Sequence, residues 1–293
     1  MKDCHVHTNI SHDGISSISD YLKISNNKGI DEITFTEHYD IYDGINTDLK
    51  TLDIDYYLKE YMKYKKSSPI KINFGLEIGL QPDKFYKTND MVIRYPFDYI
   101  IGSSHITCKK DISSDKSFFD GYTRHDAYMR YFEEVLENIK TYDIEFDVYG
   151  HLDYIVRYGE YKEKEIDYDE FKIVLDEILL NLIKKNKGLE VNTSGYRYGL
   201  GSPHPNTYII KRYKELGGKI ITIGSDAHKT NDLGSNFNEA IDILEKVGYD
   251  EVAFYHKRKP EFIKIKEFRR QWKWYNGRKY YKKCRVRWWR NTW

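Results

Sequence analysis

Hydrophobic and polar positions along the first 265 residues follow two alternating periods. Short runs rich in Ile, Val, Phe and Tyr recur at 2–7, 31–38, 70–80, 97–105, 146–154, 188–195 and 219–228. Near-continuous runs of this kind predict parallel strands buried on both faces. Between them, apolar residues spaced three and four apart predict helices at about 19–28, 54–66, 124–142, 168–185, 206–216 and 237–247. Gly29, Gly188 and Gly217–Gly218 stand where three of these helices should stop. A run at 251–255 predicts one more short strand. About seven βα units predict an α/β fold, either an open doubly wound sheet or a closed barrel.

The polar residues at the strand ends favour the barrel. His5 and His7 close the first run, His38 the second, Glu77 the third, His105 the fourth and His151 the fifth, while Asp226 and His228 follow the seventh. A closed (β/α) barrel brings every strand end to one rim, whereas an open sheet spreads them along a line. HVH at 5–7 sets two imidazoles on one face of a strand, about 7 Å apart at Cα, a workable ligand pair for one divalent ion. GSDAH adds a carboxylate and an imidazole directly after a buried strand. Glu77 sits inside the apolar run NFGLEIGL, and a buried carboxylate needs a compensating partner such as a metal ion. His105 and His151 repeat the pattern after YIIGSS and DVYG. Each feature alone has a structural explanation; together they point to metal binding, with Zn, Mn and Fe all compatible with mixed His/carboxylate ligands.

Composition divides the chain. The overall charge of +1 conceals a segment, 266–293, with 11 Lys+Arg against one acid and all five tryptophans. Residues 1–265 carry 36 basic and 45 acidic side chains and no Trp. We therefore expect a catalytic unit at 1–265 and a separate basic, aromatic extension at 266–293. No apolar run reaches 18 residues, which predicts no membrane span. The N-terminus MKDCHVHTNI has no secretory pattern. Cys4, Cys108 and Cys284 form no CxxC pair, so a cytoplasmic protein is expected.

The segments DCHVHTNISHDG, ITFTEHYD, FGLEIG, YPFDYIIGSSH, YGHLDYIVRYG, LEVNTSGYR and ITIGSDAH resemble, in order, those of the PHP (polymerase and histidinol phosphatase) superfamily. GHLDYIVRYG and VNTSGYR point to its monofunctional histidinol-phosphate phosphatases. The resemblance covers nearly all of 1–265. It implies a distorted (β/α)7 TIM-like barrel with three divalent metal ions. In it His5, His7, Glu77 and Asp226 hold one metal. Glu77 bridges to a second, also held by His105 and His151, and Asp13, His38 and His228 hold the third. His12 falls in the variable position before Asp13. His125, His204 and His256 match no ligand position and read as surface or structural.

The reaction this implies is hydrolysis of L-histidinol phosphate, a phosphomonoester, to L-histidinol and phosphate in histidine biosynthesis, by in-line attack of a metal-activated water. Arg157 and Arg197 are the expected phosphate clamps, since guanidinium pairs bidentately with phosphate, and Ser104 is a further substrate-binding candidate. Asp226 and His228 are candidates for assisting proton transfer. The interleaved cations and aromatics of the extension leave other readings open. They suit single-stranded nucleic acid, which would make the chain a PHP-type phosphoesterase or nuclease guided by its tail, or a membrane surface or partner. The abrupt change in composition favours a fused segment without a selected role.

Overall fold

The computed structural model describes residues 1–269. Seven parallel strands form one sheet in chain order: β1 (Lys2–Val6), β2 (Glu32–Tyr39), β3 (Lys71–Gly79), β4 (Tyr99–Ser103), β5 (Val148–Tyr149), β6 (Gly188–Asn192) and β7 (Ile221–Gly224). No regular ladder joins β7 to β1. Instead the segment after β7 closes the circle, His5 and Ala227 carbonyls accepting from Asp226 N at 2.8 Å and His7 N at 2.9 Å, beside a parallel bridge between Val6 and Ala227. The buried carboxylate of Asp3 spans the same seam, accepting from Ser225 N and Gly234 N at 2.9 Å each. The expected distorted seven-stranded barrel is present.

All the predicted barrel strands form, most of them shorter than their apolar runs. The run at 146–154 keeps only two ladder residues, because His151 N–H leaves the ladder and donates to the Glu190 carboxylate at 3.0 Å. A 3₁₀ turn over Tyr154–Arg157 follows.

Around the barrel lie α1 (Ile18–Ser25), α2 (Ile54–Lys65), α3 (Phe85–Val92), α4 (Arg124–Thr141), α5 (Tyr168–Lys184), the single turn α6 (Ser194–Arg197), α7 (Thr207–Glu215) and α8 (Phe237–Val247). Side chains of Ser17, Asp53, Thr123, Asp167 and Asn206 accept from backbone N–H groups at five of their N-termini, which fixes where these helices begin. Helix α3 is absent from the sequence reading. FYKTNDMV is rich in weak helix formers, and burial of Thr88, Met91 and Val92 holds it in place.

The run at 251–255 is a strand, but not of the barrel. As β8 (Glu251–His256) it pairs antiparallel with β9 (Lys259–Lys264). Arg258 donates to Asp147 at 2.6 Å and its backbone N–H to Asp98 O at 2.9 Å, just ahead of β5 and β4. The hairpin therefore covers the N-terminal ends of the strands and leaves the opposite rim open. Packing continues past it: Ile265 and Phe268 are buried, Phe268 stacked on Phe254 with ring centroids 5.9 Å apart. The Trp-rich remainder, 270–293, with its nucleic-acid and interfacial readings, lies outside the described residues. Among the described residues no helix is long and apolar enough to cross a membrane.

Candidate metal centre

The open rim is organised around one carboxylate. The register of β2 against β3 sets His38 beside Glu77, and alternation along β1 turns His5 and His7 to the same interior. Glu77 Oε1 lies 2.8 Å from His151 Nε2 and 3.3 Å from His105 Nε2, and accepts from Ser103 Oγ at 2.7 Å. Its Oε2 lies 3.0 Å from His38 Nδ1, 3.2 Å from His5 Nε2 and 3.3 Å from His7 Nε2. Five imidazoles from four chain segments thus meet a single buried side chain. Asp226 Oδ1 approaches His7 at 3.5 Å and His5 at 3.7 Å from the other side. Asp13 Oδ2 stands 3.0 Å from His228 Nε2 and 3.5 Å from His38 Nε2. All nine residues expected as ligands are brought together.

Backbone conformation aims two of them. Asp226 has φ of 53°, a left-handed conformation that is costly for a non-glycine residue, and Arg197 braces it by donating to the carbonyls of Ser225 at 2.7 Å and Asp226 at 2.6 Å. Gly224 precedes this turn, where a Cβ would stand 2.4 Å from His5 Cβ and 2.5 Å from Glu190 Oε1, so no larger residue fits.

A second layer sets which nitrogen of each ring faces inward. His5 Nδ1 donates to Glu190 at 2.6 Å, His105 Nδ1 to Asp40 at 3.1 Å and His228 Nδ1 to the Asp226 carbonyl at 3.0 Å. With Nδ1 holding the proton, the Nε2 lone pair is left for a metal. Glu37 orders the loop that carries Asp13: it accepts from Thr8 Oγ1 at 2.7 Å, Ser11 Oγ at 2.5 Å and the N–H groups of both residues. Glu37, Asp40 and Glu190 are absent from the sequence reading. Glu190 carried the signal used for Glu77, a carboxylate within an apolar strand (GLEVN), and Glu37 carried it in ITFTEH. Glu190→Gln is expected to lower metal affinity by about 10–100-fold; unaltered zinc binding in calorimetry would show that His5 needs no such partner.

Among the protein groups alone, charges dominate. Burial pushes the Glu77 carboxyl up, but the imidazoles of His5, His105 and His38 outweigh it and hold it well below the usual carboxylate range. Burial lowers His5, while Glu190, Glu77 and Asp226 carry it well above normal. His105 reaches about 10, burial again being overcome, here by Asp40 and Glu77. His7 goes the other way, lowered by burial and by His38 and His228.

The donor set fits divalent metal. Glu77 Oε2 and His38 Nδ1 are buried and 3.0 Å apart, yet neither makes a hydrogen bond, and His5 Nε2 faces His7 Nε2 at 2.9 Å. Buried polar atoms are otherwise almost always paired. Lone pairs converging on shared space are satisfied by a cation. His5, His7 and Glu77 offer ligand atoms all within 4.8 Å of one another, as do His38, Glu77 and His105, and His7, His38 and His228.

The other predicted residues divide. Arg157 opens onto the cavity of ≈ 240 Å³ beside the cluster, together with Tyr154, Tyr158 and Tyr198. Arg197 stands behind it, bracing Asp226. Ser104 is buried, its hydroxyl 2.6 Å from that of Tyr149 and accepting from Asn138 at 2.9 Å. His12 is exposed, its ring 5.5 Å from that of His38. His125 is exposed, His256 pairs with Glu32 at the covered end at 3.2 Å, and His204 is fully buried.

Strand ends that deliver imidazoles and carboxylates to one buried glutamate define a divalent-metal centre on a parallel barrel. The chain belongs to the PHP domain family, whose model matches residues 3–194. That match stops before β7, so Asp226 and His228 join the centre by geometry. The probable histidinol-phosphatase of Clostridium acetobutylicum is 32% identical over 257 residues, covering 87% of this chain and 97% of that protein. The crystal structure of histidinol phosphate phosphatase from Lactococcus lactis, complexed with Zn, L-histidinol and phosphate, superposes with a TM-score of 0.81 at 30% identity, covering 89% of this chain and 98% of that one. A structure from Listeria monocytogenes, 22% identical with a TM-score of 0.69, shares the fold.

Proposed function

We propose that this centre hydrolyses L-histidinol phosphate to L-histidinol and phosphate in histidine biosynthesis. The observation that carries the proposal is the Glu77 carboxylate within 3.3 Å of five imidazoles, with a guanidinium opening into the adjoining cavity. The similarity to the Lactococcus lactis enzyme, solved with Zn, L-histidinol and phosphate, supports the substrate. A cavity of ≈ 240 Å³ suits a small phosphomonoester rather than a polynucleotide.

Within the proposal, His5, His7, Glu77 and Asp226 would hold one divalent ion, Glu77 with His105 and His151 a second, and Asp13, His38 and His228 a third. Such ions neutralise phosphate charge and make water acidic enough to act as a nucleophile near neutral pH. The chain's own groups do the rest. Arg157 orients the phosphate through charge-assisted hydrogen bonds. Its ring neighbours Tyr154 and Tyr198, with centroids 4.9 and 4.3 Å from the guanidinium carbon, narrow the entrance and exclude bulk water. Asp226 and His228, at the junction of the cluster and the cavity, are placed to hold a proton as the leaving alkoxide departs.

Hydrolysis of L-histidinol phosphate is compared with a panel of other phosphomonoesters, nucleotides and phosphodiesters in the presence of Zn, Mn or Fe. A preference of at least about 100-fold in kcat/KM for L-histidinol phosphate is expected, the size a few specific polar contacts supply. Turnover confined to nucleotides or diesters would overturn the reading and return attention to the basic extension.

A further inference from the structure

We infer that His204, held by Asp153, is a positioning residue that fixes the guanidinium of Arg157 for phosphate. The inference rests on the reading of Arg157 as a phosphate clamp. His204 lies 47 residues from Arg157 in sequence and matches no metal position, yet it is completely buried. Its backbone is tied to the end of β6 by two hydrogen bonds, His204 N to Asn192 O at 2.8 Å and Asn192 N to His204 O at 2.7 Å. Its ring joins two charged side chains: Nδ1 is 2.5 Å from Asp153 Oδ1, and Nε2 accepts from Arg157 Nε at 2.9 Å.

The chemistry allows one arrangement. Arginine has only donors and is always protonated, so the His204 Nε2 that faces it must present a lone pair. The imidazole proton then sits on Nδ1, where Asp153 accepts it. The second oxygen of Asp153 accepts from Asn206 N at 2.9 Å, which prevents the carboxylate from rotating away. Asp153 opens the same 3₁₀ turn that ends in Arg157, so the chain of contacts closes on itself. With Nε spent on His204 and Nη2 directed to Ser194 and to Asp226 Oδ2 at 3.3 Å, and with Tyr154 and Tyr198 on its faces, the guanidinium has a single orientation. An arginine fixed in this way loses less entropy on meeting phosphate than one free to rotate.

The test is calorimetric titration of inorganic phosphate into the zinc-loaded full chain, with thermal melting of each variant alongside. His204→Ala is expected to weaken phosphate binding about tenfold, the size of one lost hydrogen bond to a charged group. His204→Gln, whose amide oxygen can accept from Arg157, should recover most of that loss. The decisive comparison is a double-mutant cycle. If His204 acts through Arg157, adding His204→Ala to Arg157→Ala brings no further loss, whereas a general packing role makes the losses additive. Additive losses, or wild-type phosphate affinity in His204→Ala, overturn the inference while leaving the clamp intact. Unchanged affinity in Arg157→Ala instead refutes the clamp itself, and the inference with it. Should His204→Ala not fold, Asp153→Asn carries the same cycle: an amide keeps the shape but has a single acceptor oxygen in place of the two that receive His204 and Asn206.

Discussion

Replacing Glu77 with glutamine is expected to reduce turnover on the order of a thousandfold or more while leaving the barrel folded. Loss of a metal's stabilisation of developing charge is worth several kcal/mol in the transition state, and each 1.4 kcal/mol is a factor of ten. Glutamine matches glutamate in shape and keeps the Ser103 contact available, but it removes the one negative charge that five imidazoles share. Its amide also places donor hydrogens where metal ions need lone pairs. Metal content per chain should fall along with turnover. Asp226→Ala and His105→Ala, from the opposite side and the outer edge of the cluster, should follow the same course. Melting temperature, circular dichroism and metal analysis on each purified variant separate a damaged centre from a damaged fold. Turnover within tenfold of wild type in any of the three, with metal retained, would remove Glu77, Asp226 or His105 from the centre.

Stripping the metal with a chelator is expected to abolish turnover reversibly and to change how stability depends on pH. Among the protein groups, His5, His38 and His105 are raised above 6.5, after burial is outweighed by neighbouring carboxylates. A raised imidazole contributes stability fully below its unfolded value near 6.5 and loses it as pH climbs through the folded value, about 10 for His105. Glu77 and Asp226, lowered because His5 and its neighbours overcome burial, contribute above their unfolded values and lose that contribution on acidification. The stripped protein should therefore lose stability between pH 6.5 and about 10. Metal binding needs these imidazoles neutral and must expel their protons, so affinity should rise over the same interval. The gap in melting temperature between zinc-loaded and stripped protein is thus expected to widen from pH 6 to pH 8. Zinc titrations in buffers of different ionisation enthalpy should show release of more than one proton per chain. A gap that narrows with pH, or no proton release, would mean that the imidazoles are not the ligands.

Much of this centre was legible in the chain because strand ends are local features. A buried parallel strand shows itself as an unbroken apolar run, and imidazoles or carboxylates near its end are brought to the rim. His5, His7, His38, His105, His151 and Asp226 stand at such ends, Glu77 is a carboxylate within an apolar run, and the barrel follows from the need to bring them together. The family resemblance added Asp13, in a loop with no periodicity of its own. The elements the sequence did not show also have local causes. Helix α3 is held by packing rather than by propensity, and β9, the partner of the expected strand at 251–255, is largely exposed and carries no apolar run.

What the sequence by itself determined is the kind of chemistry: imidazoles and carboxylates on the ends of buried parallel strands, enough to expect metal on a barrel. Only the tertiary structure decided which atoms act. The ring nitrogen that His5 turns inward depends on Glu190, 185 residues away, and that of His105 on Asp40, 65 residues away. Arg157 and Arg197 look alike in the sequence, yet one opens on the cavity and the other braces the backbone of Asp226. These distinctions arise from hydrogen bonds that exist only once the barrel has closed. Their directions are set by distances of about 3 Å between groups that no periodicity along the chain brings into register.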